Sequence, residues 1–225
     1  MVGAGTVEKG SVVSLNTGKA KKLSHQGEKE ILSGIYKEAV KEKALYLSFY
    51  NLDGDQQADL VNHGGIDKAV CVYPFEHYKY WKNRFPGSWP SGSFGENVTL
   101  QGYTETNTCI GDIFQWGEAL VEVAQPRKPC HKLAKRHGIK ELPLDVQNTG
   151  YTGYYVRVLE EGYVSDNDLF ILKNRGSDVS IDFVNQVTYH HQPDQKSLKR
   201  LTELPQLTDS WRLSFEKKLK KLEEM

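Results

Sequence analysis

The segment Gln125-Pro126-Arg127-Lys128-Pro129-Cys130-His131-Lys132-Leu133 sets one cysteine among four cationic or potentially cationic side chains, Arg127, Lys128, His131 and Lys132. Positive neighbours favour thiolate over thiol, and a thiolate is both a nucleophile and a soft metal ligand. The alternating run Ala119 to Ala124 reads as a strand, and Cys130 to Gly138 as a short helix closed by glycine. Pro129 suits the first helical turn, which puts Cys130 near a helix N-terminus. Unpaired N–H groups and the positive dipole end favour an anion there. The competing reading is a small cysteine buried at a strand–helix junction.

Asp59 to Val70 holds a second candidate. Gly64-Gly65 permits positive φ and close backbone approach, with His63 and Lys68 on either side. The turn either cradles a phosphate or polar ring edge, or is simply tight. In Ser93 to Thr99, Glu96 and Asn97 either offer a carboxylate and an amide to a ligand or serve the fold. Cys71, inside the apolar run Ala69 to Tyr73, and Cys109, before Ile110-Gly111-Asp112, read as inert packing. The histidines lack zinc-site spacing. His190-His191 reads as a helix end in solvent, which leaves His63 as the histidine of interest.

These residues need a scaffold of short strands. Thr6-Val7, Ser11 to Leu15, Ile31 to Val40, Ala44 to Phe49, Ala69 to Tyr73, Ile113 to Trp116, Ala119 to Ala124, Tyr154 to Leu159 and Leu169 to Leu172 all carry strand composition. Gly117-Glu118 and Glu161-Gly162 are expected to close tight connections between neighbours. So many short strands imply a β-barrel or a strongly curved mixed sheet. One helix interrupts them, opened by Pro74, carrying Phe75, Tyr78, Trp81 and Phe85, and stopped by Pro86-Gly87. After Arg175-Gly176 the pattern turns helical. Ser180 is expected to cap a helix with Phe183, Val184 and Val187, and Asp194 one with Leu198 and Leu201. Asp209 or Ser210 begins a third, with Trp211, Phe215, Leu219 and Leu222 on one face. The expected architecture is mainly β, a β-rich and barrel-like domain over residues 1–174, with a small all-α three-helix domain over 175–225.

Composition narrows the function. Twenty-nine acidic and twenty-nine basic residues balance, so no global field points to a nucleic-acid polymer. Mean hydropathy is negative and no apolar run is long enough to span a membrane. Met1 to Gly5 does not open a signal peptide. Three cysteines make neither a disulfide framework nor a four-thiolate cluster, so a reducing cytoplasm is the expected compartment.

Taken together, the chain resembles the MOSC domain family, in the subfamily with a YiiM-like three-helix C-terminal domain. The resemblance rests on Ser33 to Lys37, Leu52 to Asp59, His63 to Val70, Tyr73 to Tyr78, Phe94 to Asn97, Ile110 to Asp112, Gln125 to Leu133 and Tyr154 to Leu159, and covers nearly the whole chain. It implies a molybdenum cofactor (molybdopterin) with Cys130 as the metal's thiolate ligand. It also implies that Arg127, Lys68 and Arg157 meet the pterin phosphate while His63, Gly64, Gly65 and Asn97 line the pterin site. Soft sulfur and surrounding cations suit an anionic molybdenum centre. Tyr151 stands where the family commonly has a basic residue.

The implied reaction is two-electron reduction of N-hydroxylated compounds such as hydroxylaminopurine bases, with His63 or His131 as the candidate acid. No flavin, haem or iron–sulfur motif is present and pyridoxal phosphate is not expected, so electrons must come from a separate reductase. The tail, with no residue assigned to the metal, is expected to dock that partner or to mediate a homodimer. A chain ending near Arg175 is then expected to keep cofactor and chemistry. Two rivals stand beside this reading. One is a non-catalytic cofactor carrier or sulfur-delivery module. The other is a cysteine hydrolase or transferase, which lacks a clear Cys-His-Asp arrangement.

Overall fold

The computed structural model describes residues 9–23, 31–41, 43–58, 64–190 and 192–224. The expected strand Thr6-Val7 and His63 lie outside them. The strands are β1 (Lys9–Thr17), β2 (Lys21–Lys22), β3 (Leu32–Ser33), β4 (Glu38–Val40), β5 (Leu45–Leu47) and β6 (Val70–Pro74), followed by β7 (Val98–Gln101), β8 (Ile113–Trp116), β9 (Ala119–Pro126), β10 (Tyr154–Glu160), β11 (Gly162–Val164) and β12 (Leu169–Asn174). The helices are α1 (Tyr78–Arg84), α2 (His131–His137), α3 (Leu142–Thr149), α4 (Ile181–Asn185), α5 (Gln195–Thr202) and α6 (Asp209–Glu223).

Among the described residues, seven strands close on themselves in the order β12-β8-β9-β10-β6-β7-β1, with β4 added beside β1. Neighbours are antiparallel except β6 and β7, which run parallel with Val72 opposite Val98. That pairing needs a long crossover, and α1 with the loop after it supplies one. Closure rests on β1. Its first residues pair with β12, its middle with β7 and its end with β4, a span made possible by a bulge between Val12 and Ser14. The interior holds Leu15, Val72, Val98, Phe114, Trp116, Val121, Val156 and Phe170, all fully buried, each contributing about 1.5–3 kcal/mol.

A second apolar cluster joins α1, α2 and α3 to the barrel through Tyr73, Tyr78, Trp81, Trp89, Phe94, Leu133, Leu142 and Val146. Tyr73 stacks on Phe94 with centroids 4.1 Å apart. Tyr151 belongs to this packing: it stacks on His77 at 3.7 Å, and its carbonyl accepts from the Tyr73 hydroxyl.

Several elements depart from the sequence expectation. Ile31 to Val40 is two short strands, because the chain curls at Gly34 to admit a carbonyl. A Cβ there would lie 2.2 Å from the Gln56 oxygen. Pro74 ends β6 instead of opening a helix, and the 3-10 turn Phe75–His77 precedes α1. Three residues per turn bring Phe75 to the surface. After Glu161, β11 pairs with β5 instead of folding back on β10. Helix α3 was concealed by Pro143, which sits in its first turn, where proline is favourable.

The tail matches its caps more closely. Ser180 Oγ accepts from Phe183 N at 3.0 Å, and Asp194 Oδ1 from Ser197 N at 2.8 Å. Helix α6 begins at Asp209 as expected, and the hydroxyl of its N-cap Thr208 donates to Gln125 Oε1 of β9 at 3.0 Å instead of capping its own helix. A five-residue π segment, Gln186–His190, continues α4. The buried cluster runs without a break from the barrel into Ile181, Val184, Leu198, Leu201, Leu207, Trp211 and Phe215. No helix among the described residues is long and apolar enough to cross a membrane.

Candidate functional site

The outer face of the barrel at β6, β9 and β10 forms the floor of a cleft. Tyr155 of β10 lies opposite Cys71 of β6 on one side and Gln125 of β9 on the other. One pair further on, Val156 faces Val123, so Ala124 is an extra residue that bends β9 beside the cleft. The alternating burial of β9 gives way to continuous burial from Val123 to Pro126, because the core covers one face and the tail's Thr208 meets the other.

Beyond Pro126 the chain turns over this floor. Arg127 N donates to Gly153 O at 3.0 Å, and Lys128-Pro129 leads to Cys130, which is extended (φ −134°, ψ 166°) and serves as N-cap of α2. Pro129 therefore precedes the helix instead of occupying its first turn. Gly138, at φ 68°, ends α2 as expected. Leu133 is fully buried and the Arg136 guanidinium donates to the carbonyls of Ile35 and Gly92. Cys130, partly exposed, is thus held on a fixed helix start.

The cleft together with the open solvent at its mouth takes in about 660 Å³. Its walls come from the segments at 33–37, 55–58, 94–97 and 127–132. Among the described residues its lining carries five cationic side chains, Lys37, Lys68, Arg127, Lys128 and Lys132, against one carboxylate, Asp55. Lys37 is ion-paired with Asp55, both side chains buried, and Asp55 also accepts from Gly18 N at 2.9 Å. Arg127 is only 6% exposed, yet among the described residues its Nη1 has no hydrogen-bond partner. Burial alone would lower the Arg127 pKa, but nearby Cys71, Tyr155 and Cys130 raise it overall. A buried, charged, under-bonded guanidinium in a cation-lined cleft is built to receive an anion.

Of the residues singled out from sequence, Cys130, Arg127, Lys68 and Asn97 meet in this cleft. The Asn97 amide is committed to the fold: Oδ1 accepts from Cys71 N at 3.0 Å and Nδ2 donates to Asn16 O at 3.3 Å. Glu96 is likewise structural, accepting from Gly92 N, Phe94 N, the Thr99 hydroxyl and the Tyr78 hydroxyl. Gly65 lies in an adjoining groove with Tyr50, Gln56 and Gln57. Its φ of +97° suits glycine, and a Cβ there would meet nothing within 4 Å, so the requirement is conformational. Gly64 is buried outside the lining.

Arg157 is placed apart from the other residues singled out. It sits one pleat beyond Tyr155 and is engaged by Asp67, Glu122 and the carbonyl of Gln206, outside the cleft lining. His131 is exposed and also outside it. Cys71, expected as inert packing, is buried in the cleft floor, and burial raises its thiol to about 11. Lys37, Asp55, Lys132 and Tyr155 were not assigned from sequence. Only the motifs containing Lys37, Asp55 and Tyr155 and the cluster around Cys130 hinted at them.

The chain belongs to the MOSC family, whose domain matches residues 59–170, and a YiiM-like 3-alpha helix domain matches residues 179–222. Among similar proteins, YflK of Bacillus subtilis (strain 168), an uncharacterized protein, is 50% identical over 96% of this chain and 97% of its own length. YiiM of Escherichia coli (strain K12) is 40% identical over 77% of this chain and 79% of its own. A Gibberella moniliformis (strain M3125 / FGSC 7600) protein named "Reductase" is 33% identical over 76% of this chain and 31% of its own. The crystal structure of YiiM from Geobacillus stearothermophilus superposes with a TM-score of 0.79 at 36% identity, covering 93% of this chain and 99% of that one.

Proposed function

We propose that this chain is a molybdenum-cofactor-dependent oxidoreductase that reduces N-hydroxylated compounds, hydroxylaminopurine-type bases among them, with electrons from a separate reductase. The carrying observation is the juxtaposition of Cys130 with a cation-lined cleft whose buried Arg127 has an unpartnered nitrogen. MOSC proteins are associated with the molybdenum cofactor, and this donor set fits it. Among the described residues no three His, Cys, Asp or Glu side chains converge as a metal cage. A metal held by Cys130 must therefore arrive with most of its own ligands, and soft sulfur suits molybdenum on a dithiolene. The relative named "Reductase" agrees with a redox role.

When bound, the cofactor supplies a two-electron centre able to take oxygen from an N–O bond. The chain's residues do the rest. Cys130 holds the metal; Arg127 grips the phosphate through its planar fork, and Lys68, Lys128 and Lys132 offset the remaining negative charge. Tyr155 and the buried Cys71 close the floor against water. Reduction of R–NHOH to R–NH2 and water consumes two electrons, from the reductase, and two protons. Lys37 Nζ, shared with Asp55, is a proton-bearing group in the lining.

The test is metal analysis and turnover of protein made in a host that synthesises the cofactor. Wild type should carry molybdenum and reduce hydroxylaminopurine with an artificial donor. Cys130→Ser should fold, yet lose most metal and all turnover. Full activity in Cys130→Ser would overturn the assignment, and bound cofactor without turnover under any donor would identify a carrier instead.

A further inference from the structure

Lys128 lines the cleft and its ammonium lies 4.4 Å from the ring centroid of Trp211, in the first turn of α6. We infer that Trp211 is a positioning residue for the cleft: its ring holds the Lys128 ammonium at the wall, so the helical tail completes the anion site. The inference rests on the anion-binding reading of the cleft but not on which anion fills it.

Three observations support it. Lys128 has unfavourable neighbours, since it shares the cleft lining with the like charges of Lys68 and Lys132. A π-face beneath the ammonium offsets that repulsion and restrains a side chain that otherwise loses much rotamer entropy on binding. Secondly, Trp211 is 1% exposed, yet its indole N–H finds no hydrogen-bond acceptor among the described residues. A buried unpaired donor is a cost that phenylalanine or leucine would avoid. What tryptophan offers in return is the strongest π-face for a cation. Thirdly, the helix start is fixed to the same strands as the cleft floor. Thr208 donates to Gln125 of β9, and the Gln206 carbonyl accepts from Arg157 of β10. Position 211 is therefore set by β9 and β10 themselves.

The experiment measures binding of inorganic pyrophosphate, by calorimetry, to the cofactor-free chain and to Trp211→Phe, Trp211→Leu, Lys128→Met and the Trp–Lys double variants. Folding is checked by circular dichroism. Trp211→Leu should weaken binding by roughly three- to tenfold, and Trp211→Phe by less. Neither change should weaken binding further once Lys128 is methionine. If the leucine variant does not fold, the cycle of Trp211→Phe with Lys128→Met decides. Binding as tight as wild type in a folded Trp211→Leu, or losses that multiply in the double variant, would overturn the inference while leaving the cleft intact. Failure of wild type itself to bind pyrophosphate would overturn the anion reading and this inference with it.

Discussion

Arg127 concentrates the chemistry of the cleft in one side chain. Its Nη1 lacks a hydrogen-bond partner among the described residues, so the guanidinium keeps donor capacity that the fold does not use. Arg127→Ala should weaken retention of the cofactor by about 1.5–3 kcal/mol, the worth of a charge-assisted hydrogen bond. Dialysis in high salt followed by metal analysis checks this, and undiminished retention would remove Arg127 from the site. Cys130 and Arg127 were legible in the sequence because their signal is local, a thiol and cations within a few residues. Lys37 and Asp55 were not, because their partnership depends on two loops brought together by barrel closure. The surroundings of Arg157 were hidden for a related reason. It shares a strand face with Tyr155, but Glu122 opposite it and Asp67 nearby draw it away.

Helix α2 shows what an element adds to its residues. Two contacts lock it: Arg136 on the carbonyls of Ile35 and Gly92, and His137, which stacks on Trp89 at 4.5 Å and meets Ser93 O at 2.8 Å. Burial, partly opposed by the Ser93 hydrogen bond, lowers the His137 pKa below its ordinary 6.5. The unfolded chain therefore binds a proton at higher pH than the folded one. This contribution is complete above about pH 6.5 and is lost as pH falls below it, by at most about 1.4 kcal/mol per pH unit. Urea midpoints between pH 7 and 5 should fall for wild type, and the fall should be shallower for His137→Phe. Equal slopes would show that His137 does not titrate in that window. Apart from α3, the helices were legible from caps and glycine stops, as at Gly138 and Ser180. β7 was not, since Val98, Thr99 and Leu100 are all buried and lack the alternation that marks a half-exposed strand.

The molecule as a whole does not divide at residue 175 as cleanly as its composition does. The incoming tail pairs with the barrel's loops: Ile110 N donates to Val179 O and Ile181 N to Thr108 O. A Cβ on Gly176 would lie 2.0 Å from the Gly111 oxygen. Ending the chain at Arg175 would strip ten buried apolar side chains, from Val179 to Phe215, from the common cluster. We expect such a chain to aggregate or melt well below the full chain, and to bind anion poorly even where soluble. Thermal melts and pyrophosphate titration of the purified fragment check this, and a stable fragment with wild-type affinity would restore the tail to a purely partner-facing role.

The pairing of Lys9 to Ser11 with Leu169 to Ile171 has a consequence for the order in which the protein is made. The first described strand waits for β12, so the barrel cannot close until residue 171 has left the ribosome. Loop closure over such a separation is slow. Trp211 emerges later still, so the anion site is among the last features to take shape. A stalled or clipped product that ends before residue 169 leaves Lys9 to Ser11 without their β12 partners and the barrel behind the cleft open.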